Sequence, residues 1–287
     1  MSEVQDIQWF PGHMARTRRQ IQASLKLIDA VVEVIDARIP LSSRNPEVPQ
    51  LTNGKPRIVL LNKCDVADKD ITSKWIEHYR QHHIVALAID SKNGTGLNQF
   101  VPAVKQLLAE KLEKNKEKGI NKTLRLMVVG IPNCGKSSFI NRMAKTVKAK
   151  VEDRPGVTRG NQWFSIAGGI DLLDTPGVLW PKFDDKIVGE RLAFTGAIRD
   201  NILDIESIAM RFIESLPEKY IPMLKERYKL DEISPDSYET LELIAKKRGM
   251  LISKGEFDTE RAAIMLLDEF RGAKIARISL ELPERKD

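Results

Sequence analysis

Gly130-Ile131-Pro132-Asn133-Cys134-Gly135-Lys136-Ser137 is a complete G-x-x-x-x-G-K-S, and its surroundings decide the fold. It follows the apolar run LRLMVV (124–129), which reads as a strand, and it opens SSFINRMA, which reads as a helix. That strand–loop–helix context is what a phosphate-binding loop requires. The glycines let backbone N–H groups approach phosphate oxygens, and Lys136 neutralises β- and γ-phosphate charge. The Ser137 hydroxyl can ligate Mg²⁺. Cys134, Gly135 and Ser138 complete the phosphate-binding set.

Outward from this loop, short β-rich runs alternate with longer helical patterns. Strands are expected near 29–35, 57–61, 84–89, 124–129, 162–166 and 170–173, with helices at about 13–27, 71–82, 97–117 and 136–145. Such alternation implies βα units and a parallel sheet covered on both faces. After residue 180 the pattern changes. Apolar residues recur at helical spacing in 205–216, 219–229, 236–249 and 257–272, broken by Pro217, Pro222, Pro235 and Gly255. The division is therefore an α/β domain over 1–180 and a small all-helical C-terminal domain over 181–287.

Two further motifs complete the chemistry. Leu172-Leu173-Asp174-Thr175-Pro176-Gly177 ends a strand with D-x-x-G. Asp174 would hold Mg²⁺ through a water, and the Gly177 N–H would face the γ-phosphate. Between the two motifs, Thr158 in RPGVTRG is the residue expected to close over the γ-phosphate and Mg²⁺. Asn62-Lys63-Cys64-Asp65 follows the strand RIVLL and reads as N-K-x-D. The Asp65 carboxylate would accept from the guanine ring N–H and exocyclic amine, a donor pair that adenine lacks. Asn62 would bond the other edge of the base and the Lys63 stem would cover its face. The loop Asp90-Ser91-Lys92 is similar to an S-A-K loop, whose backbone contacts guanine, although Asp90 and Ser91 replace Ser and Ala.

The order of these motifs carries information. N-K-x-D (62–65) and the loop 90–92 precede the phosphate loop (130–137) and D-x-x-G (174–177), the reverse of the ordinary arrangement. The same sheet can be built from a permuted chain because the sites lie at strand ends and only connections change. D-x-x-G then leads directly into the helical region.

Composition bounds the rest. With 42% hydrophobic and 30% charged residues the chain reads as globular, and its apolar runs fall short of the about 20 residues that span a bilayer. The start MSEVQDIQWF lacks the features of a secretory signal. Cys64 and Cys134, the only cysteines, suit a reducing cytosol. No membrane is expected, and a cytoplasmic setting is. The net charge of +6 is uneven: residues 1–180 carry 27 basic and 18 acidic side chains, and 181–287 carry 19 and 22. The basic excess, dense at Arg16, Arg18 and Arg19, favours a polyanionic partner, although solvated helix faces account equally well for any one cluster.

Trp9-Phe10-Pro11-Gly12-His13-Met14, then DARIPLSSRNP at 36–46, N-K-C-D and GIPNCGKSS together resemble the YlqF/RbgA family of circularly permuted ribosome-biogenesis GTPases. The resemblance covers residues 9–180. It implies a P-loop GTPase fold in permuted order, GTP hydrolysis to GDP, and an RNA-binding-like C-terminal region. It further implies docking on a late large-subunit precursor of rRNA and ribosomal protein; a monomer with no DNA partner is expected. Val178 and Leu179 follow D-x-x-G where many GTPases place a water-orienting Gln, and an apolar side chain cannot do that work. His13, in the family's P-G-H-M segment, either positions water or caps the following helix. Asn133 resembles the Asn that binds K⁺ in potassium-stimulated GTPases. Asp36 and Arg38 match the family's D-A-R-x-P segment without a role that the sequence reveals. Two rival readings stay open: a GTPase of tRNA modification or membrane transport, and a module that needs only the GTP-bound shape.

Overall fold

The computed structural model describes residues 19, 21–120, 122–145, 151–152, 162–177, 185–252 and 255–283. Among these residues seven strands form one sheet: β1 (Ala30–Asp36), β2 (Arg57–Asn62), β3 (Val85–Ala88), β4 (Leu124–Val129), β5 (Val151–Glu152), β6 (Gln162–Ile166) and β7 (Ile170–Asp174). Their spatial order is β3-β2-β1-β4-β7-β6-β5. The phosphate-loop strand β4 thus lies between β1, from upstream in the chain, and β7, from downstream. A crevice at the strand ends of such a junction is where an open α/β sheet binds ligands.

The pairs among β3, β2, β1, β4 and β7 are parallel, and β6 pairs antiparallel with both β7 and β5. The parallel sheet expected from the alternation carries an antiparallel hairpin at one edge. The cause is the link Ala167-Gly168-Gly169 between β6 and β7. Three residues close a hairpin, whereas a parallel neighbour needs a crossover of about a dozen. Gly168 and Gly169 turn the chain at φ of 83° and 75°, values open to glycine.

Period-two alternation in β1 covers both faces. Ala30, Val32 and Val34 join a cluster with Phe100, Val104 and Phe139. Val31 packs on the other side with Met127 and Trp163, and Ile35 with Trp75 and Tyr79. The helical residues among these lie on α1 (Lys69–Gln81), α2 (Phe100–Leu107) and α4 (Lys136–Lys145), while α3 (Ala109–Glu117) follows α2 and has no buried residue. The helix expected over 97–117 is a 3-10 turn at Leu97–Gln99 followed by α2 and α3, which part at Leu108.

Among the described residues five α-helices follow: α5 (Lys186–Phe194), α6 (Ile205–Ser215), α7 (Ile221–Tyr228), α8 (Ser237–Lys247) and α9 (Thr259–Arg271). Asp204, Asp236 and Asp258 cap α6, α8 and α9, accepting from the N–H groups of Ser207, Tyr238 and Arg261. Phe194, Phe212 and Phe270 stack at centroid distances of 5.6 and 4.7 Å and belong to the cluster that holds Val32 and Val34 of the sheet. After α9 the chain returns to β1: Leu280 N–H donates to Arg38 O at 2.8 Å, and Trp75 Nε1–H donates to Glu281 O at 3.0 Å. Among the described residues no helix is long and apolar enough to cross a membrane.

Candidate nucleotide site

The loop after β4 is held open by its own backbone. Gly130 has φ 154°, and a Cβ there would stand 2.4 Å from Val34 O. Lys136 is buried and donates from Nζ to Ile131 O at 2.7 Å, so its amine lies over the loop. A cleft of about 340 Å³ opens beside it, lined by Asn133, Lys136, Ser137, Gln162, Asp174 and Gly177 with their neighbours. The D-x-x-G segment is bonded to β4 and lies close against the loop. Thr175 Oγ1 donates to Val128 O at 2.6 Å, and a Cβ on Gly177 would lie 2.7 Å from Pro132 N. Burial pushes the Asp174 carboxyl up, outweighing the pull of Lys136. A half-buried carboxyl beside a serine hydroxyl is a hard-oxygen donor set that suits Mg²⁺, which takes one or two protein oxygens and fills the rest with phosphate and water.

Asn62 joins the base side to the phosphate side. Asn62, at the end of β2, is 2% exposed. Its Nδ2 donates to Cys134 O at 2.8 Å, and its Oδ1 accepts from Ser91 N–H at 3.0 Å and Ser91 Oγ–H at 2.8 Å. Two motifs far apart in the chain thereby become one pocket. Gly135 makes room for this, since a Cβ there would lie 2.1 Å from Asn62 Nδ2. Asp90 shapes the third loop, accepting from the N–H groups of Lys92 and Asn93 at 2.8 and 3.1 Å. The Asp that departs from the S-A-K pattern is a turn former. Asp65 is half-buried after the Lys63 turn. Lys63 has φ 61° and its Nζ lies 3.0 Å from Asp36 Oδ2.

Asp36 and Arg38, given no role by the sequence, form the buried floor of this region. Asp36 Oδ1 accepts from Arg38 Nε at 2.9 Å and Oδ2 from Nη2 at 2.6 Å. The guanidinium lies over the Phe270 ring, 5.3 Å from its centroid. Burial alone would raise the Asp36 carboxyl, but Arg38 and Lys63 together hold it well below the usual carboxylate range. Asn133, expected to face a cation, has its Nδ2 on Gly196 O at 2.8 Å.

Of the residues singled out in the sequence, Asn62, Lys63, Asp65, Ser91, Asn133, Cys134, Gly135, Lys136, Ser137, Ser138, Asp174 and Gly177 lie within the described regions. Ser91, Cys134 and Gly135 each meet Asn62, and Asn133, Lys136, Ser137, Asp174 and Gly177 share the cleft. His13, Thr158, Val178 and Leu179 lie outside the described residues. Gln162, Pro132 and Thr175 also line the cleft and were not foreseen.

The chain is 49% identical over 279 residues to Ribosome biogenesis GTPase A of Bacillus licheniformis, covering 97% of this chain and 99% of that protein. It belongs to the YlqF/RbgA family of ribosome biogenesis GTPases. A family model described as a 50S ribosome-binding GTPase matches residues 125–235. That match begins in β4 and leaves Asn62–Asp65 and Ser91 upstream, as a permuted order requires. Two solved structures of YlqF from T. maritima, one GDP-bound and one GNP-bound, resemble the fold at TM-score 0.66 and 28% identity. They cover 93% and 94% of this chain and 100% and 99% of their own. The protein is a GTP-hydrolysing enzyme with a role in ribosome assembly.

Proposed function

We propose that the chain is a Mg²⁺-dependent switch that docks on a late precursor of the large ribosomal subunit with GTP bound and leaves after hydrolysis. The observation that supports the nucleotide part of this reading is the Asn62 bridge between Cys134 O and Ser91, which brings base-reading and phosphate-binding loops into one pocket. Asp65 would read guanine, Asn62 would use its second Nδ2 hydrogen on the base, and Lys63 would cover its face. Lys136 and the loop N–H groups would stabilise charge that develops on the γ-phosphate. Ser137, Asp174 and Thr158 are the residues that would hold Mg²⁺, whose bound charge would act on the same phosphate oxygens. His13 would orient the attacking water, and Asn133 would share a K⁺ ion. The partner is particle rRNA and protein rather than DNA or a membrane, met by a cytoplasmic monomer whose helical region 181–287 contacts RNA.

A single turnover assay tests this. GTP hydrolysis is measured in K⁺ and in Na⁺, with and without large-subunit precursor particles, for the native chain and His13→Ala. Stimulation by particles, faster rates in K⁺, and a loss of about 10²–10⁴-fold in His13→Ala are expected. A rate indifferent to particles would favour the module that uses only the GTP-bound shape. Equal rates in both salts would remove K⁺, and an unchanged His13→Ala rate would leave that histidine its capping role.

A further inference from the structure

The end of α5 is held in an unusual way. A helix leaves its last carbonyls without internal partners, and cations or amides nearby satisfy them. Here four successive carbonyls are taken by three side chains. Arg271 of α9 donates to Ala193 O and Phe194 O at 3.0 and 2.9 Å. Arg38 donates to Thr195 O at 3.4 Å, and Asn133 donates to Gly196 O at 2.8 Å. One of these three side chains lies in the nucleotide pocket, and a second is joined to it. Asn133 lines the phosphate cleft, and Arg38 is joined through Asp36 to Lys63 of the base-reading loop.

We infer that the turn at residues 193–196 reads whether the pocket is filled, through Asn133 on the phosphate side and Lys63–Asp36–Arg38 on the base side. The inference rests on guanine-nucleotide binding in this pocket and is independent of ribosomal docking. Phosphates entering the cleft place oxygen acceptors beside the Asn133 amide, and a base covered by the Lys63 stem fixes the amine that Asp36 grips. Asp36 and Arg38 are buried, at 2% and 1% exposure, so solvent cannot absorb a displacement of either charge. The Arg38 end is incompletely satisfied as well. Its Nη1 is buried with no hydrogen-bond partner, and its bond to Thr195 O is long. Movement of the turn toward the guanidinium would shorten that bond to Thr195 O. Arg38 and Asp36 are positioning residues in this account, acting on the nucleotide through Lys63.

Hydrogen–deuterium exchange on the full chain, with and without GDP, tests the relay. The amides of Thr195, Gly196, Ala197 and Ile198 bond to carbonyls within α5, so their exchange reports opening of this turn. GDP is expected to slow exchange both at 62–65 and 130–137, in the pocket, and at 195–198. Protection confined to the pocket overturns the relay and leaves the pocket standing; protection at neither overturns both. Reciprocity gives the second arm: Arg271→Gln, which touches no part of the pocket, should weaken GDP binding about 10-fold, within the usual range for coupled sites. A folded Arg271→Gln chain with lower Tm but native GDP affinity makes the arginine merely structural and overturns the relay. If that variant does not fold, the exchange pattern of the native chain decides alone.

Discussion

Asp36 offers two carboxylate oxygens to four donors: the backbone N–H, Nε and Nη2 of Arg38, and Nζ of Lys63. Neutralising it leaves Arg38 buried with its charge uncompensated. Removing one partner of a buried ion pair typically costs about 3–5 kcal/mol, so Asp36→Asn should lose that much stability in urea unfolding. The pH dependence has a definite sign. The carboxyl is held below its ordinary value, so its contribution is complete above about pH 5 and drains as pH falls below about 4. The stability gap between native and Asp36→Asn chains should therefore be flat near neutrality and shrink in acid. A gap that widens in acid would contradict the ion-pair account. The pair itself was visible as D-A-R-x-P, but its purpose was not. Arg38 reaches Thr195 from 157 residues away, and no local pattern reports a contact at that distance.

At the scale of elements, the phosphate loop depends on close backbone approach more than on side-chain chemistry. Gly135→Ala would put a methyl group 2.1 Å from Asn62 Nδ2, at a φ of 98° that L residues avoid. Asn62 would be driven off Cys134 O and Ser91, and buried polar groups left unpaired cost about 1–3 kcal/mol each. GDP affinity, measured by fluorescent-nucleotide titration, should fall about tenfold or more. Native affinity in this variant would mean that Asn62 does not join the two halves of the pocket. Most elements were legible because their apolar period is plain, as in VVEVI of β1 or IAMRFI of α6. α5 was not, since Gly189 interrupts KIVGERLAF and lowers its helical propensity. The two residues of β5 are too few to show a period. The antiparallel edge followed from a three-residue link whose length, rather than whose composition, carried the information. In the site, motif spacing identified the residues, while Asn62's bonds to Ser91 and Cys134 required the fold.

For the whole molecule, the sheet and the helices after residue 185 share one apolar cluster. The chain's return past α9 adds a polar seam. Glu281 accepts from the N–H groups of Leu41 and Ser42 and pairs with Arg191 at 3.0 Å, so α5 and the loop after β1 are held by the same carboxylate. A nucleotide-driven shift at the pocket therefore meets the helices through packed contacts as well as along the backbone from D-x-x-G. A ligand moves such an equilibrium only by its difference in affinity for the two states, and the effect is reciprocal. The direct test is co-sedimentation of the full chain with large-subunit precursor particles, using a non-hydrolysable GTP analogue, GDP and no nucleotide. Binding tighter by about 5–150-fold with the analogue than with GDP is predicted, and the particle should tighten analogue binding by the same factor. Equal sedimentation in all three conditions would contradict a nucleotide-controlled switch.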